Sequence, residues 1–332
     1  MELHILQFIW FVLTALLLAV FLIMGGFDFG EGMLCAFSKN PKVREHLIKN
    51  ILPYWDANQV WLITAGGALF AAFPVAYSEV LSQMYVPVML LLCFLVIRVV
   101  AIEFYFSEEQ RWWRNFCAIM LAISSITSVV LIGVALGAIF GGEVLLRKES
   151  FTENFLRLFT PLSMASALLC FFFFGVQGAL FASIKSANYN ELVVLFNKYA
   201  KRMLFGLLFA FVLFAGVLLW KNQGKVNPAT LCGFLVACYI PLRIASRLMR
   251  KNKAMWAFVC TSAFALITVF ALSFLTYPNI IPAVKGYTEG LSILEASSSA
   301  KTLEIMLWVA LVGVPLAIAY NIYAHLVFSR KK

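Results

Sequence analysis

The order of apolar and polar residues along the chain predicts nine membrane-spanning helices. A helix needs about 20 apolar residues to cross the hydrocarbon core of a bilayer. Nine stretches meet this requirement: Ile5–Met24, Val60–Leu81, Tyr85–Phe104, Phe116–Phe140, Leu162–Ala182, Met203–Trp220, Ala229–Ile244, Trp256–Tyr277 and Leu303–Phe328. The seventh is the weakest, because it is short and contains Pro241 and Arg243. The alternating ten-residue segments of a β-barrel are missing from the sequence. The sequence therefore predicts one all-α integral membrane domain over residues 1–332.

The second stretch begins with polar residues that a lipid-facing helix would not need. Asp56, Asn58 and Gln59 stand directly before its apolar run. An ionisable group near the hydrocarbon costs a few kcal/mol unless it faces protein or a wet cavity. At helical spacing Asp56, Gln59 and Ile63 lie along one face, with Trp55 and Asn58 beside them. The pattern predicts a polar mouth at one end of a helix that is buried in protein.

Small residues farther along the same helix support this interpretation. Gly66 and Gly67 remove side chains from the helix surface, which allows another backbone to approach closely.

Composition places the whole chain in a bilayer. Of its 332 residues 63% are hydrophobic and 13% are charged, with a mean hydropathy of +0.91. A soluble protein is about 45–50% apolar and about 25% charged. No cleavable leader is evident at the N-terminus, so the first span is expected to be retained. The net charge of +10 does not indicate nucleic-acid binding, because the basic residues are scattered between apolar segments.

The distribution of basic residues predicts the orientation. Eighteen of the 26 Lys and Arg follow the first, third, fifth and seventh spans or end the chain. The positive-inside rule then places the N-terminus outside and the C-terminus in the cytoplasm. Asp56 would stand at the cytoplasmic end of its helix, where a carboxylate can take up protons.

Asp28 lies in the glycine-rich segment Gly25–Gly32. The spacing of the glycines does not fit a phosphate-binding loop, and acidic residues repel phosphate. A helix that bends or packs tightly there, with Asp28 inside the protein, is expected instead. The sequence leaves open whether Asp28 is structural or handles protons.

Arg98 lies inside the third span and needs a carboxylate partner on this or a neighbouring helix. Glu103 is one candidate partner for it, and Glu103 is equally a candidate for a second proton site. Arg98 itself is predicted to be structural or to tune the electrostatics of a nearby site.

Gln177 is a polar group at membrane depth beside a glycine, which predicts a hydrogen bond between helices. The seven cysteines form no CxxC pair and are predicted to be buried apolar side chains. His4, His46 and His325 all lie near span ends, so the chain is predicted to bind no haem and no metal.

Two segments on the outer side are predicted to be ordered. Residues 278–302, which include Tyr287, Glu289, Glu295 and the serines 297–299, are expected to form a small ordered cap or an interface loop. Phe151, Phe155, Leu156 and Phe159 predict a short interfacial helix between the fourth and fifth spans.

With these residues identified, the chain resembles subunit II of the cytochrome bd-type quinol oxidases. The resemblance is strongest over the string Trp55–Pro74 and covers nearly the whole chain. Its other marks are Gly26-Phe27-Asp28-Phe29-Gly30, Arg98, Glu103, Trp113-Arg114-Asn115, Gln177-Gly178-Ala179, Trp256-Ala257-Phe258, Ala296-Ser297-Ser298-Ser299 and Thr302-Leu303. Ala57 stands where the family usually has glycine, and Glu295 where aspartate is common. Neither difference removes a group that could carry protons.

The resemblance implies a fold of two four-helix bundles plus one peripheral helix in a bacterial inner membrane. It implies a homologous partner, subunit I, that holds two b-type haems and one d-type haem. That partner oxidises quinol on the outer side and reduces oxygen to water with protons from the cytoplasm. This chain would be haem-free, with a structural quinone in some family members and a small single-helix third subunit in some complexes.

Together, the residues and the resemblance predict a cytoplasmic proton relay at Asp56. Asn58 and Gln59 would support it, and Trp55 and Trp61 would pack around the path. Arg98 and Glu103 are the second-ranked candidates for a part in this proton path, and Asp28 is the third. Two alternatives stay open: a pure assembly scaffold of the same complex without a proton role, and an ion-coupled secondary transporter.

Overall fold

The computed structural model describes residues 2–146, 151–222, 227–284 and 289–330, and almost all of them are helical. The helices are α1 (Leu3–Phe37), α2 (Pro41–Ile51), α3 (Trp55–Ala72), α4 (Pro74–Gln83), α5 (Tyr85–Phe104), α6 (Arg111–Gly141), α7 (Phe151–Arg157), α8 (Pro161–Lys185), α9 (Asn190–Asn222), α10 (Pro228–Arg250), α11 (Ala254–Thr276), α12 (Ile293–Ala296) and α13 (Ala300–Arg330). Two short strands, β1 (Asn279–Ile281) and β2 (Leu291–Ser292), pair antiparallel.

Eight of the predicted spans correspond to single helices in the described part of the chain. These helices, α1, α5, α6, α8, α9, α10, α11 and α13, are long and apolar enough to cross a membrane. The weak seventh span is a continuous helix of 23 residues that contains Pro241. The predicted first span ends too early at Met24, because α1 continues through the glycine-rich segment to Phe37.

The predicted second span, Val60–Leu81, is not one straight helix. Helix α3 ends at Ala72, and α4 begins at Pro74 with its axis turned by 120°. Proline has no N–H to continue the helical hydrogen bonds. The carbonyls that α3 leaves open are bound by Ser298, whose N–H donates to Ala72 O at 2.9 Å and whose hydroxyl donates to Ala71 O at 2.7 Å. The break is therefore stabilised by a contact from a distant part of the chain.

Helices α1 and α8 lie at the centre of the packing. Helix α1 contacts α3, α6, α8, α11 and α13, while α8 packs against α6, α9 and α11 as well. Their closest approach is at Gly30 and Gly178, where a Cβ on Gly30 would lie 2.0 Å from Phe174 O. No larger residue fits between these two backbones.

The two segments that the sequence predicted to be ordered are ordered where the structure describes them. Ser292 and Glu295 form a capping box at the start of α12, which follows the β1–β2 hairpin. The neighbouring Ser297 hydroxyl accepts a hydrogen bond from Gln7 of α1 at 2.6 Å. The described residues of this segment are therefore ordered and joined to α1, and Tyr287 lies outside them. Helix α7 is the predicted short helix before the fifth span.

Candidate functional site

The polar residues that begin α3 point to different sides of the helix. Asp56 is exposed, whereas Asn58 is only 1% exposed. Successive helical residues are about 100° apart, so positions 56 and 58 lie nearly opposite each other. The polar residues that were predicted to form one cluster at this helix end therefore belong to two groups. One group is buried inside the chain, and the other lies on its surface.

The inner group is a buried ion pair. Asp28 of α1 and Arg98 of α5 are both 0% exposed, and a guanidinium nitrogen of Arg98 contacts Asp28 Oδ1. The Asn58 amide lies 3.4 Å from Asp28 Oδ2, to which it donates a hydrogen bond. The Arg98 guanidinium also lies over the Phe29 ring, 4.3 Å from its centroid. Three helices thus meet at one carboxylate, and the partner of Arg98 that the sequence left open is Asp28.

Glu103 belongs to the surface group instead. It is exposed at the end of α5 and accepts a hydrogen bond from Trp55 Nε1 at 2.9 Å. This bond joins α5 to the first residue of α3, beside Asp56. The interpretation of Glu103 as the Arg98 partner is therefore wrong.

One face of α3 is exposed in the described part of the chain, although its last residue, Phe70, contacts the Tyr77 ring of α4. We call this face the open stripe of α3, and its exposed residues are Asp56, Val60, Ile63, Gly67 and Phe70. Ile63 is 71% exposed and Phe70 is 58% exposed. The spacing of three and four residues places all five on one side of the helix.

Gly66 and Gly67 do not pack against another backbone of this chain. A Cβ added at either position would meet no atom within 4 Å. The predicted burial of α3 is therefore wrong for this side of the helix, although Gln59 is half-buried and Trp61 is 5% exposed.

Gln177 makes the predicted hydrogen bonds between helices. Its amide donates to Ser262 Oγ at 3.0 Å, and Thr261 Oγ1 donates to Gln177 Oε1 at 3.4 Å. These bonds fix α8 against α11, one residue from the close approach between Gly178 and Gly30.

A second carboxylate of α1, Glu31, is also fully buried and is not among the site residues predicted from the sequence. Its carboxylate accepts a hydrogen bond from Asn50 of α2 at 3.1 Å. The pattern that identifies it is its position three residues after Asp28, on the same helix face.

Two of the three histidines have described side chains, and each lies within hydrogen-bond distance of another side chain. His4 is hydrogen-bonded to Glu2 at the surface, and His46 lies 2.7 Å from Ser186 Oγ and stacks on Phe196. His4 lies in the first turn of α1 and His46 in α2, beyond the other end of α1, so these two side chains cannot form a pair of axial ligands. The His325 side chain lies outside the described residues. The described residues hold no group of three His, Cys, Asp or Glu side chains suited to a metal ion.

Comparison with known proteins identifies the family. Residues 6–328 match the family model of cytochrome bd terminal oxidase subunit II. The chain belongs to this family. It is 30% identical to the cytochrome bd-I ubiquinol oxidase subunit 2 of Escherichia coli (strain K12), over 97% of this chain and 94% of that protein. It is 29% identical to the cytochrome bd ubiquinol oxidase subunit 2 of Bacillus subtilis (strain 168), over 97% and 96%.

The fold agrees with the family assignment. A chain from the structure of the bd oxidase of Geobacillus thermodenitrificans superposes with a TM-score of 0.79 at 17% identity, covering 98% of this chain and 99% of that one. The protein is thus a multi-pass membrane subunit of a bd-type oxidase, and so part of an oxidoreductase complex. The match covers nearly the full length of both chains, so the fold is shared as a whole.

Proposed function

We propose that this chain is the haem-free subunit II of a bd-type terminal quinol oxidase. With subunit I it couples quinol oxidation to reduction of oxygen to water, takes protons from the cytoplasm and generates proton motive force. The two b-type haems and the d-type haem belong to subunit I. The family match and the positions of His4 and His46 support this division.

Subunit I docks along the open stripe of α3. A helix that exposes Asp56 directly before a row of apolar residues is poorly suited to lipid, because its carboxylate would need a protein or water partner. Gly67 leaves room there for a second backbone. The stripe also lies within the string Trp55–Pro74, over which the resemblance to the family is strongest.

Asp56 is the proton relay at this interface. It is exposed at the end of α3, beside the bond between Trp55 and Glu103. Within the described residues no side chain forms a hydrogen bond or ion pair with Asp56, so its carboxylate is available to water and to the partner. This is the observation that carries the proposal. The ion pair of Asp28 and Arg98 lies behind it and holds α1, α3 and α5 in place.

The direction of proton uptake gives the enzyme its energetic role. The predicted orientation puts Asp56 at the cytoplasmic end of α3 in the bacterial inner membrane. Protons consumed from the cytoplasm and released outside by quinol oxidation make the reaction electrogenic. Each elementary charge moved against 100 mV stores about 2.3 kcal/mol.

The test is the Asp56→Asn variant of the two-subunit complex in proteoliposomes. We expect quinol oxidase turnover, proton uptake and membrane potential to fall at least about tenfold, as for loss of a proton-transfer group. Haem content should stay unchanged, because the substitution keeps the size of the side chain. Glu191→Gln is the matched control, since it removes an exposed carboxylate at the start of α9, far along the chain from α3.

The competing functions predict different results. Wild-type turnover and membrane potential in Asp56→Asn, with the complex intact, would leave only the scaffold function. Substrate transport by this chain without a haem-bearing partner would favour the secondary transporter.

A further inference from the structure

A polar cavity of about 640 Å³ lies at the end of the helices where basic residues concentrate. It is formed where α1 ends, α2 begins, α5 ends and α6 begins. Its walls carry four cationic side chains, Lys39, Arg44, Arg111 and Arg114, and two carboxylates, Glu45 and Glu109. The cavity is therefore net positive.

Two of the cations are held in place by the protein. Arg44 Nε donates to Ser38 O at 2.7 Å and to Cys35 O at 3.1 Å, and another nitrogen of Arg44 donates to Asn115 Oδ1. Arg114 Nε donates to Glu108 O at 3.2 Å. Both guanidinium groups are thus fixed at the cavity wall before any ligand arrives, which lowers the entropy cost of binding.

The carboxylate Glu45 is already engaged. It accepts a hydrogen bond from Lys49 at 2.6 Å and lies 3.7 Å from Arg114. The Lys49 hydrogen bond lowers the pKa of Glu45 below its usual range, so the group stays ionised and paired. It therefore does not compensate the remaining cations of the cavity.

Lys39 and Arg111 are the remaining cations. Both side chains are exposed, and neither side chain forms a hydrogen bond or ion pair with another residue of the described chain. Arg111 is also the first residue of α6, a helix of 31 residues whose N-cap, Gln110, makes no capping side-chain hydrogen bond. The free N–H groups and the dipole of such a helix end favour an anion.

The position of the cavity indicates what kind of anion it takes. Trp112, on its wall, is 64% exposed at the first turn of an apolar helix. Exposed tryptophans at this level of a membrane protein lie among the lipid headgroups. Basic pockets between helix ends on the cytoplasmic side recognise lipid headgroups that carry negative charge.

We propose that this cavity binds the phosphate headgroup of an anionic phospholipid from the membrane. Lys39 and Arg111 contact the phosphate, Arg44 and Arg114 provide fixed positive charge behind it, and Trp112 packs at the glycerol level. The site is separate from Asp56 and does not depend on the proton relay.

The experiment measures lipid binding to the purified two-subunit complex after delipidation in detergent, by native mass spectrometry. The complex is titrated with phosphatidylglycerol, with phosphatidylcholine of the same acyl chains, and with inorganic phosphate. The test variant is the double substitution Lys39→Gln and Arg111→Gln. The matched control is Lys198→Gln with Lys201→Gln, which removes two exposed charges from α9.

We expect the test variant to bind phosphatidylglycerol about 25-fold more weakly, at about fivefold for each charge removed near the headgroup. The control should stay within about twofold of wild type, and phosphatidylcholine binding should not change in either variant. Unchanged phosphatidylglycerol affinity in the test variant would overturn the proposal. Displacement of the lipid by millimolar inorganic phosphate would show a site for free phosphate instead. Loss of subunit I from the test variant alone would show that the cavity is a protein interface.

Discussion

At the scale of single residues, Arg98 shows how far the sequence can identify a buried ion pair. A guanidinium inside an apolar span requires a carboxylate, and this requirement is evident without coordinates. The choice between Glu103 and Asp28 is not evident, because it depends on how α1 is rotated against α5. The structure places Asp28 on the face of α1 toward Arg98, whereas Glu103 is at the surface with Trp55.

Breaking this pair is predicted to destabilise the protein strongly. Asp28→Asn and Arg98→Gln should each lower the free energy of unfolding by about 3–5 kcal/mol, because each leaves a buried group without its partner. The double variant should lose less than the sum of the two, since the charge left behind is then removed. Denaturant unfolding of the purified complex measures all three.

Glu103→Gln is the control for the ion pair, because it removes an exposed carboxylate and should cost less than about 1 kcal/mol. Additive losses in the double variant would contradict direct pairing between Asp28 and Arg98.

At the scale of helices, glycines in similar sequence contexts differ in how closely other residues pack against them. Gly30 and Gly67 both interrupt apolar helices, and the sequence suggested close packing at Gly66 and Gly67. The structure shows that the close approach within this chain is at Gly30 and Gly178, while Gly67 is open. Sequence indicates that a helix can be approached closely, but not which chain approaches it.

The two glycines are predicted to respond differently to alanine. Gly30→Ala should lower the free energy of unfolding by at least about 1–3 kcal/mol, because its Cβ would overlap the backbone of α8. Gly67→Ala should leave the unfolding of this chain unchanged and weaken its retention of subunit I. Thermal unfolding and co-purification of the two subunits measure the two effects.

Equal effects of Gly30→Ala and Gly67→Ala on unfolding would contradict this assignment of the two glycine contacts.

The break between α3 and α4 could be predicted only in part. Pro74 indicates a kink, but the turn of 120° also depends on Ser298, more than two hundred residues later in the chain. No local pattern around Pro74 reveals that contact. The run of three serines was expected to lie in the ordered segment 278–302, without a contact to α3.

Ser298→Ala is predicted to loosen this junction. The change removes the hydroxyl bond to Ala71 O and should cost about 1–3 kcal/mol, because a helix-end carbonyl loses its partner. Ser107→Ala is the matched control, since its hydroxyl bonds only to Phe104 O within its own turn. Unfolding free energies of the two variants test the difference, and an equal loss in both would contradict the role of Ser298.

At the scale of the whole molecule, hydropathy located eight helices of the described chain that are long and apolar enough to cross a membrane, because span length is set by bilayer thickness. The predicted second span corresponds to the bent pair α3 and α4. Hydropathy misjudged the end of α1, where Asp28 and Glu31 continue the helix inside the protein rather than ending it. The arrangement in two four-helix bundles, and the orientation with the N-terminus outside, stay predictions. The role of Asp56 stays a prediction, and its exposure on α3 could not be predicted from the sequence, because the surface that covers it would belong to a partner chain.

The most direct test of the account is an optical spectrum of the complex purified from its native membrane in mild detergent. The reduced-minus-oxidised difference spectrum should show b-type and d-type haem bands, together with a second large polypeptide. After the two subunits are separated, the haem should stay with that polypeptide and this chain should be colourless. A chain that came out alone and colourless from aerobically growing cells, or that kept haem after separation, would contradict the account.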